Sequence, residues 1–239
     1  MMTQIEGTNG TTLAPWAIQR ALARRNTFHP FATLDPVRTA LVVIDLQRAY
    51  MHPDGGYLAC PAAIGAVPAV NAMARALRGA GGVVAWVQNT HTDACLRSWT
   101  VQQSMNAPES NASRNAALAP GSYGHALWPT LDVQAPDLTV PKHRYSAFTP
   151  GTCDLERILR ARGTDTILIA GTLTNVCCDS TARDAMMLDF RTTMLSDACA
   201  APSQTEHDAA LSMFYATFGD VMDVAYATRC LATPLRRAG

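Results

Sequence analysis

An α/β fold, with a mainly parallel sheet wrapped on both faces by helices, is predicted by three features of the 239-residue sequence. Apolar runs such as TALVVIDLQ (39–47), GVVAWVQN (82–89) and TDTILIAG (164–171) are continuous rather than alternating, the pattern of strands covered on both faces. Helix-like segments separate these runs, so strand and helix alternate along the chain. Such alternation implies right-handed crossovers between parallel strands. At this length one domain is expected.

The elements follow in order. Residues 1–36 read as an N-terminal extension: a polar start, a short helix near PWAIQRALARR, then FHPFATLDP, whose prolines favour an extended arm. Residues 37–239 form the domain. After the strand at 39–47 comes the turn signal HPDGGYL, then a helix over AAIGAVPAVNAMARALRGAGG, whose closing glycines suit a C-terminal cap. GVVAWVQN is the second strand. From 91 to 135 the pattern gives way to a long polar stretch; a connection of this length reads as a lid or binding loop, and Trp99, Tyr123 and Trp128 favour its being ordered. Next come a strand at DLTVPK (137–142), a helix at CDLERILRARG (153–163), the strand TDTILIAG and a helix through about Leu188. A strand at RTTMLSD, a helix at QTEHDAALSMFYATFG and a last strand near VMDVAYA complete the chain.

Composition narrows the function. Nineteen basic and nineteen acidic residues balance, so no charge excess attracts nucleic acid or an anionic membrane, and no apolar run approaches the ~20 residues of a membrane helix. The N-terminal residues lack a secretory layout, and a cytoplasmic protein acting on a small molecule is expected. Seven scattered cysteines form no disulfide framework, and the six histidines form no metal-ligating cluster with them; neither a metal nor a cofactor is expected.

In parallel sheets function gathers beyond the carboxyl ends of the strands. Asp45 lies near the end of the first strand, Lys142 at the end of LTVPK, and Cys177 just past TILIAG. A cysteine at a helix start has its thiolate favoured by the helix dipole, and a nearby lysine favours it further. A carboxylate beside it can take the thiol proton and later deliver it to a leaving nitrogen. Each residue alone has a plainer reading: turn former, solvated charge, buried small hydrophobe. Their joint placement points to acyl-transfer hydrolysis, with backbone N–H groups of the GTLTNVC turn as oxyanion donors.

VVIDLQ, PKHRYSAF and GTLTNVCCDSTARDA, in that order and spacing, resemble the isochorismatase-like superfamily of cysteine hydrolases, nearest the branch of ureidoacrylate amidohydrolases and N-carbamoylsarcosine amidases. The resemblance runs from about Leu34 onward. It implies a Rossmann-like three-layer α/β/α sandwich with a six-stranded, mainly parallel sheet, assembled as a homodimer or homotetramer. It also implies a triad of Cys177, Asp45 and Lys142, with oxyanion donors at Leu173, Thr174 and Cys177 and a non-proline cis peptide at Leu173–Thr174. Cys178 then reads as a packing residue. The metal site of nicotinamidases, typically D-x-H with a further histidine, has no counterpart in MHPDGGYLAC, and keeping Cys177 points to C–N bond hydrolysis.

Similarity to ureidoacrylate-type relatives extends to Gln47 and Tyr50, to Gln88 and Asn89, and to Arg144, Tyr145 and Ser146. Asn89 and Tyr50 could hydrogen-bond a carbamoyl group. Arg144 would meet a substrate carboxylate if it turned inward and would otherwise make a surface ion pair. Two other readings stay open: an amidase for a larger or cyclic amide admitted by the 91–135 segment, and a thiol redox or scaffold protein using the Cys177–Cys178 pair. A bulky substrate needs a wide mouth, so a closed pocket of only a few residues would count against the first; Asp45 and Lys142 beside Cys177 would count against the second.

Overall fold

The computed structural model describes residues 13–54 and 59–232. The polar start of the extension, residues 55–58 of the expected turn and the last seven residues lie outside the described residues.

Six strands, β1 (Thr39–Ile44), β2 (Val83–Asn89), β3 (Leu138–Lys142), β4 (Thr166–Thr172), β5 (Arg191–Ala200) and β6 (Asp220–Met222), form one sheet in the order β3-β2-β1-β4-β5-β6. Every pairing is parallel. The chain winds outward from β1 through β2 to β3 and then returns to the other side of β1, so the order reverses between β1 and β4. That reversal opens a crevice at the carboxyl ends of the central strands.

Both faces of the sheet are buried, which explains the unbroken apolar runs. Ala40, Val42 and Ile44 of β1, with Ile167 and Ile169 of β4, join one core, whereas Leu41 and Val43, with Leu168 and Ala170, join the other. Alternate side chains of a strand point to opposite faces, so each face requires its own apolar residues. One cover is α3 (Ala62–Gly79), which buries Ala63, Ala66, Val67, Val70, Met73, Ala74 and Leu77 at the three- and four-residue spacing of a single stripe. The other face is covered by α7 (Leu155–Ala161), α8 (Asp179–Met187) and α9 (Gln204–Thr217).

The helix expected near the start is α1 (Pro15–Arg25), packed on α9 of the same chain. Arg24 donates to the Ala216 carbonyl at 2.9 Å, and Arg25 donates to the Gly219 carbonyl at 3.0 Å while lying over the Tyr215 ring.

Two expectations need correction. The last strand stops at Met222; VAYA instead begins α10 (Val224–Ala232), which packs on α3. β6 is a three-residue edge, and once the chain clears it, Ala-rich sequence takes its helical preference. The 91–135 segment is not an irregular loop: after α2 (Arg48–Met51) and β2, it carries α4 (Asp93–Ser98), α5 (Thr100–Ser104) and α6 (Pro108–Ala117). Thr92 caps α4 by accepting from Cys95 N–H, and Pro108 opens α6 with Glu109 in its first turn. No helix among the described residues is long and apolar enough to cross a membrane.

Candidate active site

Asp45 directly follows β1 and has a left-handed backbone, φ 54°, which few residues other than Gly, Asn and Asp adopt readily. Its N–H still donates to Val87 O at 2.9 Å, extending the ladder to β2. Lys142 ends β3, paired with Asn89 of β2. Since β3 lies two strands from β1, about 10 Å away, only a long side chain reaches Asp45 from there. Lys142 does so: its Nζ lies 2.9 Å from Asp45 Oδ2, both side chains are fully buried, and the ammonium also donates to Arg144 O at 2.9 Å.

Cys177 arrives from β4. Gly171, with φ 121°, passes so close to β1 that a Cβ there would sit 2.0 Å from Ile44 O, so glycine permits the contact that brings the next turn to the crevice. Thr174–Cys178 then forms a wide, π-helical turn leading straight into α8. The cis peptide is Thr172–Leu173, one residue upstream of the expected Leu173–Thr174. The Cys177 thiol, 4% exposed, lies beside both Asp45 and Lys142, close enough for each to act on its proton affinity.

The electrostatics differ from the sequence expectation. Burial raises the Cys177 pKa; Lys142 counteracts this and Asp45 adds to it, so the resting group is a thiol rather than a stabilised thiolate. Burial likewise lifts Asp45 above the ordinary carboxylate range, against the opposing charge of Lys142. For Lys142 burial acts downward, but the neighbouring Asp45 and Cys177 hold it above its usual value. The helix-start position of Cys177 is outweighed by the burial of its thiol.

Above the thiol is a cavity of about 200 Å³ lined by Tyr50, Asn89, His91, Trp99, Gln102, Asn106, Arg114, Tyr145, Leu173, Val176 and Cys177. Of the residues singled out in the sequence for substrate binding, Tyr50, Asn89 and Tyr145 line this cavity. Asn89 Nδ2 donates to Tyr50 Oη at 2.6 Å, and the half-exposed Tyr145 stacks edge-on against Trp99 at the mouth.

Gln47, Arg144 and Ser146 are not among the lining residues. Gln47 is fully buried and fastens β1 to its neighbours, donating to Asn89 O and His125 O and accepting from Asn89 N–H. Arg144 turns away from the cavity, donating to Ser98 O and Oγ and to His143 O while lying over the Trp99 ring. Ser146 Oγ accepts from Phe148 N–H. Cys178 is wholly buried in the core, its thiol facing Ala170 O and Cys199.

The isochorismatase domain matches residues 39–226, more than half of the chain. The chain belongs to the isochorismatase family. A ureidoacrylate amidohydrolase of Methylobacterium radiotolerans is 36% identical over 219 residues, covering 85% of this chain and 83% of that protein. One of Klebsiella variicola is 34% identical over 226 residues, covering 86% and 93%. Among solved structures, a cysteine hydrolase of Pseudomonas syringae aligns with TM-score 0.75 and 28% identity over 83% of this chain and 94% of that one. N-carbamoylsarcosine amidase of Thermoplasma acidophilum aligns with TM-score 0.62 and 26% identity over 78% and 96%.

Five cavity residues of this family member, His91, Trp99, Gln102, Asn106 and Arg114, come from the 91–135 segment and went unassigned in the sequence. The helix-start signals of Thr92 and Pro108 were available there. Nothing local marks which polar residues of a polar helix face inward. Among the described residues no group of three or more His, Cys, Asp or Glu is placed to hold a metal ion.

Proposed function

We propose that this isochorismatase-family protein is a cysteine-dependent amidohydrolase that cleaves a C–N bond of a small ureido, carbamoyl or amide substrate. The observation that carries the reading is the placement of the Cys177 thiol against the buried Asp45–Lys142 pair, on the wall of a small cavity.

In this mechanism Asp45 takes the Cys177 proton as sulfur attacks the carbonyl carbon, so an S–C bond forms and the carbonyl electrons become an oxyanion. Concerted transfer suits a thiol whose free thiolate is disfavoured and a carboxylate whose basicity is raised by burial. Lys142 stays protonated and offsets the charge gathering around Asp45 and sulfur. The Val176 and Cys178 N–H groups both donate to Leu173 O, so the proposed oxyanion donors are the N–H groups of Leu173, Thr174 and Cys177. As the tetrahedral intermediate collapses, the C–N bond breaks and Asp45 returns its proton to the leaving nitrogen. Water, deprotonated by Asp45, then attacks the thioester-type acyl-enzyme, the S–C bond breaks and Cys177 regains a proton.

Cavity size supports a small substrate. About 200 Å³ lies below the ~300 Å³ at which pockets for drug-sized ligands begin, which disfavours a larger or cyclic amide. The names of the relatives, ureidoacrylate amidohydrolase and N-carbamoylsarcosine amidase, support a ureido or carbamoyl group. Family resemblance also supports a homodimer or homotetramer, which light scattering on the purified protein would read. The reaction is tested by ammonia release over ureidoacrylate, N-carbamoyl amino acids, biuret, nicotinamide and simple amides. Turnover concentrated in the ureido and carbamoyl compounds is expected; turnover of bulky amides alone would reject the substrate class.

A further inference from the structure

We infer that Arg114 binds a substrate carboxylate, so that the cavity selects ureido or carbamoyl acids over their uncharged analogues. The inference rests on the amidohydrolase reading for the scissile group, but its evidence lies at a separate residue.

Arg114, on α6, is 6% exposed and shares the cavity with Cys177. Both of its hydrogen bonds leave from Nη2, to Gln102 Oε1 on α5 and to Asn111 Oδ1 on α6, and both acceptors are neutral amides. Its Nε is buried without a partner. No ion pair involves it among the described residues, and the cavity lining contains no Asp or Glu. Asp45, the carboxylate beside Cys177, is already matched by Lys142.

A buried guanidinium without a counterion is costly, since charges removed from water ordinarily come with a partner. The two amides hold its position without neutralising it. Its remaining donors suit the two oxygens of a carboxylate, which a guanidinium recognises better than an ammonium does. Asn89 Oδ1, also buried and unpartnered, lines the same chamber and can accept from a ureido N–H. One free acceptor and one uncompensated cation in about 200 Å³ match a molecule with N–H groups at one end and an anion at the other.

The test compares ureidoacrylate with its methyl ester, by ammonia release, in wild type, Arg114→Met and Arg114→Lys. Wild type should prefer the acid about 10- to 100-fold in kcat/KM, as a charge-assisted hydrogen bond implies. Arg114→Met should lose that preference, mainly through a raised KM for the acid, so that acid and ester are turned over with comparable kcat/KM. Arg114→Lys should restore part of the preference. Equal turnover of acid and ester by wild type, or an equal loss for both in Arg114→Met, would overturn the inference and leave the amidohydrolase reading intact. Binding of ureidoacrylate to Cys177→Ala and to Cys177→Ala/Arg114→Met, measured by calorimetry, separates the two claims. Arg114-dependent binding without wild-type turnover would reject the reaction but keep the carboxylate site, and absence of both would reject the inference.

Discussion

Removing one member of a buried ion pair strands the other charge, so Asp45 and Lys142 are coupled in stability as well as in chemistry. Lys142→Met should cost about 3–5 kcal/mol by denaturant unfolding, because the fully buried Asp45 loses the ammonium 2.9 Å away. The double variant Asp45→Asn/Lys142→Met should recover much of that loss while remaining inactive. With Asp45→Asn alone closing the cycle, a double-variant loss equal to the sum of the two single losses would show that the pair is not coupled. Activity should report the same environment. In the proposed mechanism Asp45 acts as a base only when ionised, and burial raises its pKa, so kcat/KM should fall as pH drops through a midpoint above the ordinary carboxylate value of about 4. At this scale the sequence was informative about placement: Asp45, Lys142 and Cys177, each at or just past a strand end, meet at one crevice. It was uninformative for Arg144 and Arg114. One arginine follows Lys142 in a recognisable motif but turns away to Ser98, and the other lies in a polar helix but faces the cavity; side-chain direction depends on tertiary packing that a local pattern does not encode.

Single residues also decide how elements meet. Gly171 lets β4 approach β1, and Gly171→Ala would drive a Cβ to 2.0 Å from Ile44 O at φ 121°. A loss of about 3 kcal/mol or more is expected, read as a lowered unfolding midpoint; an unchanged midpoint would contradict the close approach. His91, between β2 and α4, donates from Nδ1 to Asn115 Oδ1 of α6 and tethers the helical cover to the sheet edge. Burial, together with the positive charges of Arg114 and Lys142 and against the Asn115 bond, lowers its pKa to about 4. The folded state therefore binds fewer protons than the unfolded state between about pH 6.5 and 4. Stability should fall as pH drops through this window, by about 3 kcal/mol in all, and level off below it. His91→Asn should flatten that part of the profile, and an unchanged slope would show that other groups carry it. The strands were legible because burial on both faces writes a continuous apolar run. The helices of 91–135 were not, because each is short and mostly polar, and α10 reads as strand because its apolar residues resume after β6 with only Asp223 between them.

Over the whole molecule, the reversal of strand order between β1 and β4 places residues from three distant parts of the chain at one crevice. α4, α5 and α6 then line that crevice with Trp99, Gln102, Asn106 and Arg114. The N-terminal α1 belongs to the same body. Arg24 and Arg25 cap the end of α9 through the Ala216 and Gly219 carbonyls, and Tyr215 Oη donates to Phe28 O. Deleting residues 1–28 should lower the thermal midpoint by several degrees, since even 1–2 kcal/mol shifts a protein of this size by that much; an unchanged midpoint would make the segment a detachable arm. The layered fold was legible from alternation alone. How the extension packs was not, because its contacts are made by arginines to carbonyls nearly two hundred residues away.

The most direct test of the central claim, that Cys177 is the nucleophile of an amidohydrolase, is ammonia release by wild type and Cys177→Ala on the ureido and carbamoyl panel, with circular dichroism confirming that both are folded. Wild-type turnover of at least one compound with a loss of about 10⁴-fold or more in the variant is predicted, the scale at which removing a nucleophile acts. A folded variant within tenfold of wild type, or a wild type inert to every compound, would contradict it.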